Sequence, residues 1–212
     1  MYQPPAFREE RIDILHALMR AHPFATLIIS AASGIEANHL PLLLGERSAG
    51  QVGLSGHFSK GNPLLRAFEE SGDRLPALAI FHGPEHYISP GWYPSKAADG
   101  KAVPTWNYTV VHAHGVLRAM QDPARLRAHL DALTAGQETG RSPPWSPTDA
   151  PEDYLASMMK GIVGFNMEIE RLEGKWKLGQ NRSAEDCAGV FRGLAGEDSA
   201  GAAELAAVTP TE

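Results

Sequence analysis

Between Ala102 and Gly115 the chain reads AVPTWNYTVVHAHG, setting Trp106, Asn107 and Tyr108 side by side ahead of His112 and His114. Polar and aromatic groups this dense are costly to bury without partners, so either a ligand or a hydrogen-bonded core has to account for them. Alternate residues of a strand face opposite sides. Val111, Ala113, Gly115 and Leu117 therefore share one face, and Val110, His112, His114 and Val116 share the other. Two histidines at i, i+2 could share a metal ion or make ordinary hydrogen bonds. A metal site needs a third ligand and usually a fourth. His39, His57, His82 and His86 come in no recognised metal spacing, and no metal is assigned.

A second stretch, GHFSKGNP from Gly56 to Pro63, ends a strand with a hydroxyl at Ser59 and a cation at Lys60. Gly61 then allows close backbone approach, and Asn62 opens a helix. Backbone N–H groups at such a junction attract anions, so a phosphate would suit it; a capped helix beside a surface lysine is the plainer alternative. In a third stretch, KWKLGQNR, Lys175, Lys177 and Arg182 supply three cations within eight residues, and Gln180 and Asn181 add amides. That is more polar recognition capacity than a linker needs, although a solvated turn would also read this way. Nucleophilic chemistry has little support. Cys187 sits in a late amphipathic helix, no serine occupies a GxSxG turn, and neither GxGxxG nor GxxxxGK[ST] occurs.

The elements that must position these residues are mostly strands. Ile14, Leu15, Leu18 and Met19 fall at helical spacing before Pro23. FATLIIS and IEANHLPLLLG read as a hairpin joined through Ser33 and Gly34, and Pro41 puts its strand at an edge or a bulge. QVGLSGHF and LPALAIFHG are further strands, with a helix after Asn62 between them. Residues 84–104 hold four prolines and two glycines and read as a long shaped loop. A long fifth strand spans about Thr105 to Met120. A helix capped by Asp122 and the short helix EDYLASMMKG form an excursion near 122–160, IVGFNMEIERL alternates as a sixth strand, and SAEDCAGVFRGLA closes as a helix. The expected class is mainly β (α+β): six antiparallel strands in a closed barrel with peripheral helices.

Composition bounds the rest. The 212 residues are 43% hydrophobic and 21% charged, which is globular, and one cysteine permits no internal disulfide. The start MYQPPAFREE has no secretion signal and no apolar run reaches the roughly 20 residues of a membrane helix, so a cytoplasmic protein is expected. The net charge is −6. Residues 196–212 hold four acids and no base and read as a flexible tail, leaving −2 on residues 1–195. Neither value suits a polyanion surface, and the helices, being separated by strands, offer no helix-turn-helix.

ANHLPLLL, GHFSKGNP, IFHGPEHYISPGWYPSK, VPTWNYTVVHAHG, IVGF and EGKWKLGQNR together resemble the PaiB family of FMN-binding split-barrel proteins, described as negative transcriptional regulators. The likeness runs from Met1 to about Leu194. It departs at Gly179, where the family usually has serine. The resemblance implies one domain over 1–195, a six-stranded Greek-key split barrel that forms a homodimer and binds FMN. It implies phosphate contacts from Ser59, Lys60 and Asn62, ring or ribityl contacts from Tyr87, Ser89, Thr105, Trp106, Asn107 and Tyr108, and further cofactor contacts from His57, Lys177, Gln180 and Asn181. A flavin-dependent sensor or regulator follows. The alternatives are a flavin oxidoreductase of the pyridoxamine-phosphate-oxidase or flavin-reductase type and a haem-binding barrel. DNA enters only through the family description.

Overall fold

The computed structural model describes residues 1–32, 34–46, 52–72 and 74–210; Ser33 of the expected hairpin joint, Gln51 of the expected third strand and the last two residues of the tail lie outside them. Eight strands are described: β1 (Arg8–Glu9), β2 (Phe24–Ala31), β3 (Gly34–Pro41), β4 (Leu43–Glu46), β5 (Val52–Ser59), β6 (Leu75–Ile88), β7 (Thr105–Ala119) and β8 (Ile162–Lys177). Their hydrogen-bonded order is β3-β2-β6-β7-β8-β5-β4, with β1 on β8. The helices are α1 (Ile12–Ala21), α2 (Leu64–Glu70), α3 (Lys96–Asp99), α4 (Pro123–Glu138), α5 (Glu152–Met159), α6 (Ala184–Ala195) and α7 (Ala200–Val208).

Eight strands replace the expected six for two reasons. Pro41 has no N–H to donate, and the segment read as one strand ends there; Leu42 turns away, donates its own N–H to the Pro23 carbonyl (2.8 Å) and is buried before β4 begins. The second addition is β1, two residues paired with Lys175 and Gly174. The expected loop also starts later, because Pro84–Ile88 continue β6. Nor is the end of the chain the expected flexible tail. Ser199 caps α7 by accepting from Ala202 N–H (3.1 Å), and Ala202 and Leu205 are buried with Ile88, Leu178, Val190 and Leu194. One leucine among alanines is a weak sequence signal, yet small residues let the helix approach closely enough to bury it.

The expected single domain divides into two compact units, each built from separated stretches: Met1–His22, Phe81–His112 and Leu172–Glu212 in one, Pro23–Ile80 and Ala113–Arg171 in the other. In the first unit α1 buries Leu15, Leu18 and Met19. It fits because glycines leave room: a Cβ on Gly174 would overlap Leu15, and one on Gly83 would overlap Thr109 and meet Leu18. Likewise, Gly189 and Gly193 of α6 bare the helix surface on which Trp92 lies. Asp186 ties the same region by accepting from Ser95 N–H and Oγ (3.1 and 2.8 Å).

In the second unit β2 pairs with β3 from Phe24↔Pro41 to Ala31↔Gly34, and β5 pairs with β8 from Gly53↔Glu168 to Ser59↔Ile162. Phe58, Phe68 and Phe165 form its aromatic core, with centroids 5.8 to 6.5 Å apart. The excursion expected near 122–160 is α4 and α5. Asp122 caps α4 by accepting from Ala124 N–H (2.9 Å), and Leu126 and His129 form its buried side.

Gly193→Ala puts a methyl into the rigid Trp92 indole, whereas nothing lies within 4 Å of a Cβ on Gly136 in α4. Alanine ordinarily stabilises a helix by about 1 kcal/mol over glycine. Urea denaturation should show Gly136→Ala gaining up to that amount and Gly193→Ala losing about 1–2 kcal/mol to overpacking.

Candidate functional site

The second unit holds His57, Ser59, Lys60 and Asn62. Ser59 closes β5, and the turn after it is set by its own backbone: Asn62 N–H donates to the Ser59 carbonyl (2.9 Å), Gly61 N–H to Ser59 Oγ (3.3 Å), and Lys60 N–H to the Gly161 carbonyl (2.9 Å). The Asn62 amide is engaged structurally, accepting from Leu64 N–H (2.9 Å) and donating to Asn38 Oδ1 (2.7 Å). Asn62 therefore shapes the turn, and the groups it leaves exposed are the Ser59 hydroxyl and the Lys60 ammonium. Lys60 lines a cavity of about 730 Å³ whose other walls include Met120, Leu126, Met159, Lys160, Val163 and Gly164.

His57 faces a partner that sequence reading missed. Its Nδ1 lies 3.1 Å from His129 Nε2, and His129 Nδ1 lies 2.9 Å from Ser55 Oγ. Both nitrogens of His129 are engaged, and a neutral imidazole can satisfy the two contacts by donating from one nitrogen and accepting at the other. Burial lowers the pKa of His57, and burial followed by the neighbouring His57 lowers that of His129 to about 4. The available sequence signal was slight: His129 follows Leu126 by three residues and so shares its helix face.

The first unit holds the remaining expected residues. The Lys177 ammonium donates to Thr105 Oγ1 and to the Trp106 carbonyl. Burial, then the charges of Lys175 and Arg182, lower its pKa. Trp106 and Tyr87 are 53% and 42% exposed and meet edge to face with centroids 6.3 Å apart, forming an uncovered aromatic pair beside the lysine. Tyr108 has another partner, the buried Lys175, whose ammonium lies 5.3 Å from its ring centroid and donates to the Tyr2 carbonyl (3.0 Å).

Asn107 is buried, and Ser89 accepts from Gly91 N–H (3.2 Å) to start a 3₁₀ turn. Gln180 staples its own turn, accepting from Leu178 N–H (2.9 Å) and donating to the Trp176 carbonyl (2.6 Å), while Asn181 is exposed. Gly179, where the resemblance led serine to be expected, has φ +91, and a Cβ there would lie 3.9 Å from Asn107 Nδ2. A small side chain has room, and glycine avoids the backbone strain that a side chain would meet at this φ. Cys187 donates to the Gly179 carbonyl (3.4 Å), and burial followed by Asp186 raises its pKa, so the thiol is not activated. His112 and His114 are half-buried, and both already interact with other groups.

Comparison with known proteins defines the class. Residues 1–171 match the family described as "Putative FMN-binding domain", and the chain belongs to that family. It is 32% identical over 206 residues to the Bacillus subtilis "Protease synthase and sporulation protein PAI 2", covering 97% of this chain and 95% of that protein. The resemblance to PaiB proteins carried by the motifs is thereby borne out. An uncharacterised protein of Emericella nidulans is 33% identical over 226 residues, covering 92% of this chain and 90% of the relative. Among solved structures, the FAD and haem binding protein of Mycobacterium smegmatis is similar in fold, with a TM-score of 0.59 at 20% identity, covering 85% of this chain and 78% of that one. No helix among the described residues is long and apolar enough to cross a membrane.

The histidine pair sets a pH dependence. A folded pKa below the unfolded 6.5 means the unfolded chain binds more protons between about 4 and 6.5. This stabilisation is fully present above pH 6.5 and declines as pH falls toward 4, by up to about 3 kcal/mol for His129. Urea unfolding at several pH values should show a weaker decline over that window in His129→Gln than in the parent; equal slopes would mean the pair does not titrate on unfolding.

Proposed function

We propose that the protein is a homodimeric FMN-binding split-barrel protein that acts as a flavin-dependent sensor or regulator. Family membership supports a flavin ligand, and the Ser59–Lys60 turn is the observation that carries FMN in particular: the Asn62 amide is spent on the turn and Ser59 Oγ only accepts within it, so the Ser59 O–H and the Lys60 ammonium remain as donors for a phosphate. The exposed Tyr87–Trp106 pair suits the apolar face of a flat ring. Lys177 fixes Trp106 through its carbonyl and Thr105 through its hydroxyl, and offers a positive charge beside them. Each cluster is proposed on its own chemistry and tested on its own.

Bound FMN would supply one- and two-electron redox chemistry. The chain's part is to bind the phosphate, present aromatic surface to the ring and hold the Lys177 ammonium against Thr105 and Trp106. The −6 charge argues against direct duplex recognition, which depends on cationic contacts to phosphates. Regulation then passes through a small molecule or a protein partner, in keeping with the sporulation role in the name of the Bacillus relative. A flavin oxidoreductase is the second reading, favoured by the Lys177 ammonium held beside the exposed Tyr87–Trp106 pair.

The absorbance spectrum of purified protein should be that of a flavin, and light scattering should give about twice 22.9 kDa. Trp106→Ala should weaken FMN and riboflavin alike. Lys60→Ala should weaken FMN roughly 10- to 150-fold, as expected for loss of a charge-assisted contact, with riboflavin changed several times less. A haem spectrum or a stable flavin-binding monomer would overturn the reading in its respective part, and steady reduced-nicotinamide oxidation would favour the enzyme.

A further inference from the structure

The hydrogen bond from Lys60 N–H to the Gly161 carbonyl, with Ser59 opposite Ile162 in the β5–β8 register, holds the turn after β5 against the turn before β8. Lys160, the residue before Gly161, therefore lines the same 730 Å³ cavity as Lys60. Both lysines are exposed, and neither ammonium has a hydrogen bond or ion pair among the described residues. The other cation on this cavity behaves differently: Arg127 is committed to Asp131 (2.9 Å) and Glu152 (3.2 Å). The cavity thus carries two uncommitted positive charges on adjoining turns, above a largely apolar floor of Met120, Leu126, Met159 and Val163.

Charge decides what such a pair can hold. A phosphate monoester carries about −1.5 to −2 at neutral pH, so one ammonium leaves roughly half of it uncompensated. We infer that Lys160 is the second cation of the phosphate site, acting with Lys60 to hold a phosphomonoester dianion while the cavity leaves room for its carbon chain. This rests on the FMN reading above, FMN being the phosphomonoester that reading names. Lys160 also ends α5, where a cation suits the helix's negative C-terminal end. That role stabilises the helix and is indifferent to whether a flavin bears a phosphate.

The test is fluorescence titration of FMN and riboflavin into flavin-free parent protein, Lys60→Ala, Lys160→Ala and Lys160→Gln, with inorganic phosphate as competitor. Lys160→Ala and Lys160→Gln are expected to weaken FMN at least 10-fold with riboflavin nearly unmoved, and inorganic phosphate to compete with FMN less well in both. If Lys60→Ala shows the selective loss and both Lys160 variants leave FMN unchanged, the inference fails and the phosphate reading stands. Equal losses of FMN and riboflavin in the Lys160 variants also overturn it, assigning Lys160 to the helix end or the cavity wall. No selective loss in any variant removes the phosphate site itself.

Discussion

A Cβ on Gly164 would stand 2.9 Å from Leu126 and 3.2 Å from Met120, and that missing side chain is the constraint on which the second unit turns. Helix α4 can rest on β8 only where the strand presents bare backbone. Once seated there, α4 brings His129 to His57, which lies opposite Gly164 in the β5–β8 register, and places Leu126 in the wall of the lysine cavity. The same economy recurs: Gly56 makes way for Phe165 and Leu42, Gly115 for the Glu168 carbonyl, Gly174 for Leu15 and Gly193 for Trp92. Interiors pack at crystal-like density, so a single added carbon at such a point displaces an element rather than a side chain.

With the elements seated, the polar groups sort by whether the fold has already used them. Asn62, Gln180 and Ser89 spend hydrogen-bonding capacity on the turns that carry them, and His57 on its histidine partner. Lys60 and Lys160 do not, and the Tyr87–Trp106 pair remains uncovered. Recognition capacity therefore concentrates in a few side chains, two lysines on turns held by backbone hydrogen bonds and two aromatics near the facing ends of β6 and β7. The fixed backbone confines the ordering cost of any ligand contact to the side chains themselves.

The histidine pair shows a different compromise. His129 is buried and contacts both His57 and Ser55, and the burial that seats it lowers its pKa, which favours the packing of α4 at neutral pH over acid. Pro123, Ala124, Leu126 and Arg127 of the same helix form one wall of the lysine cavity. Acid stability and the shape of that wall thus share one structural element.

Local chemistry was legible in the order of residues. The apolar spacing of α1, the Asp122 cap, the alternation of β7 and β8 and the break at Pro41 each follow from periodicity or from a missing donor, which need no knowledge of distant chain. The long motifs carried the family. What sequence could not determine was every feature made by two stretches far apart: His129 against His57, Lys160 beside Lys60, α7 burying Leu205, and the loss of Asn62 and Gln180 to local bonds. The physical reason is that a hydrogen bond or a close contact depends on where a second group stands. That position is decided by which strand has room for which helix, and only the assembled structure shows it.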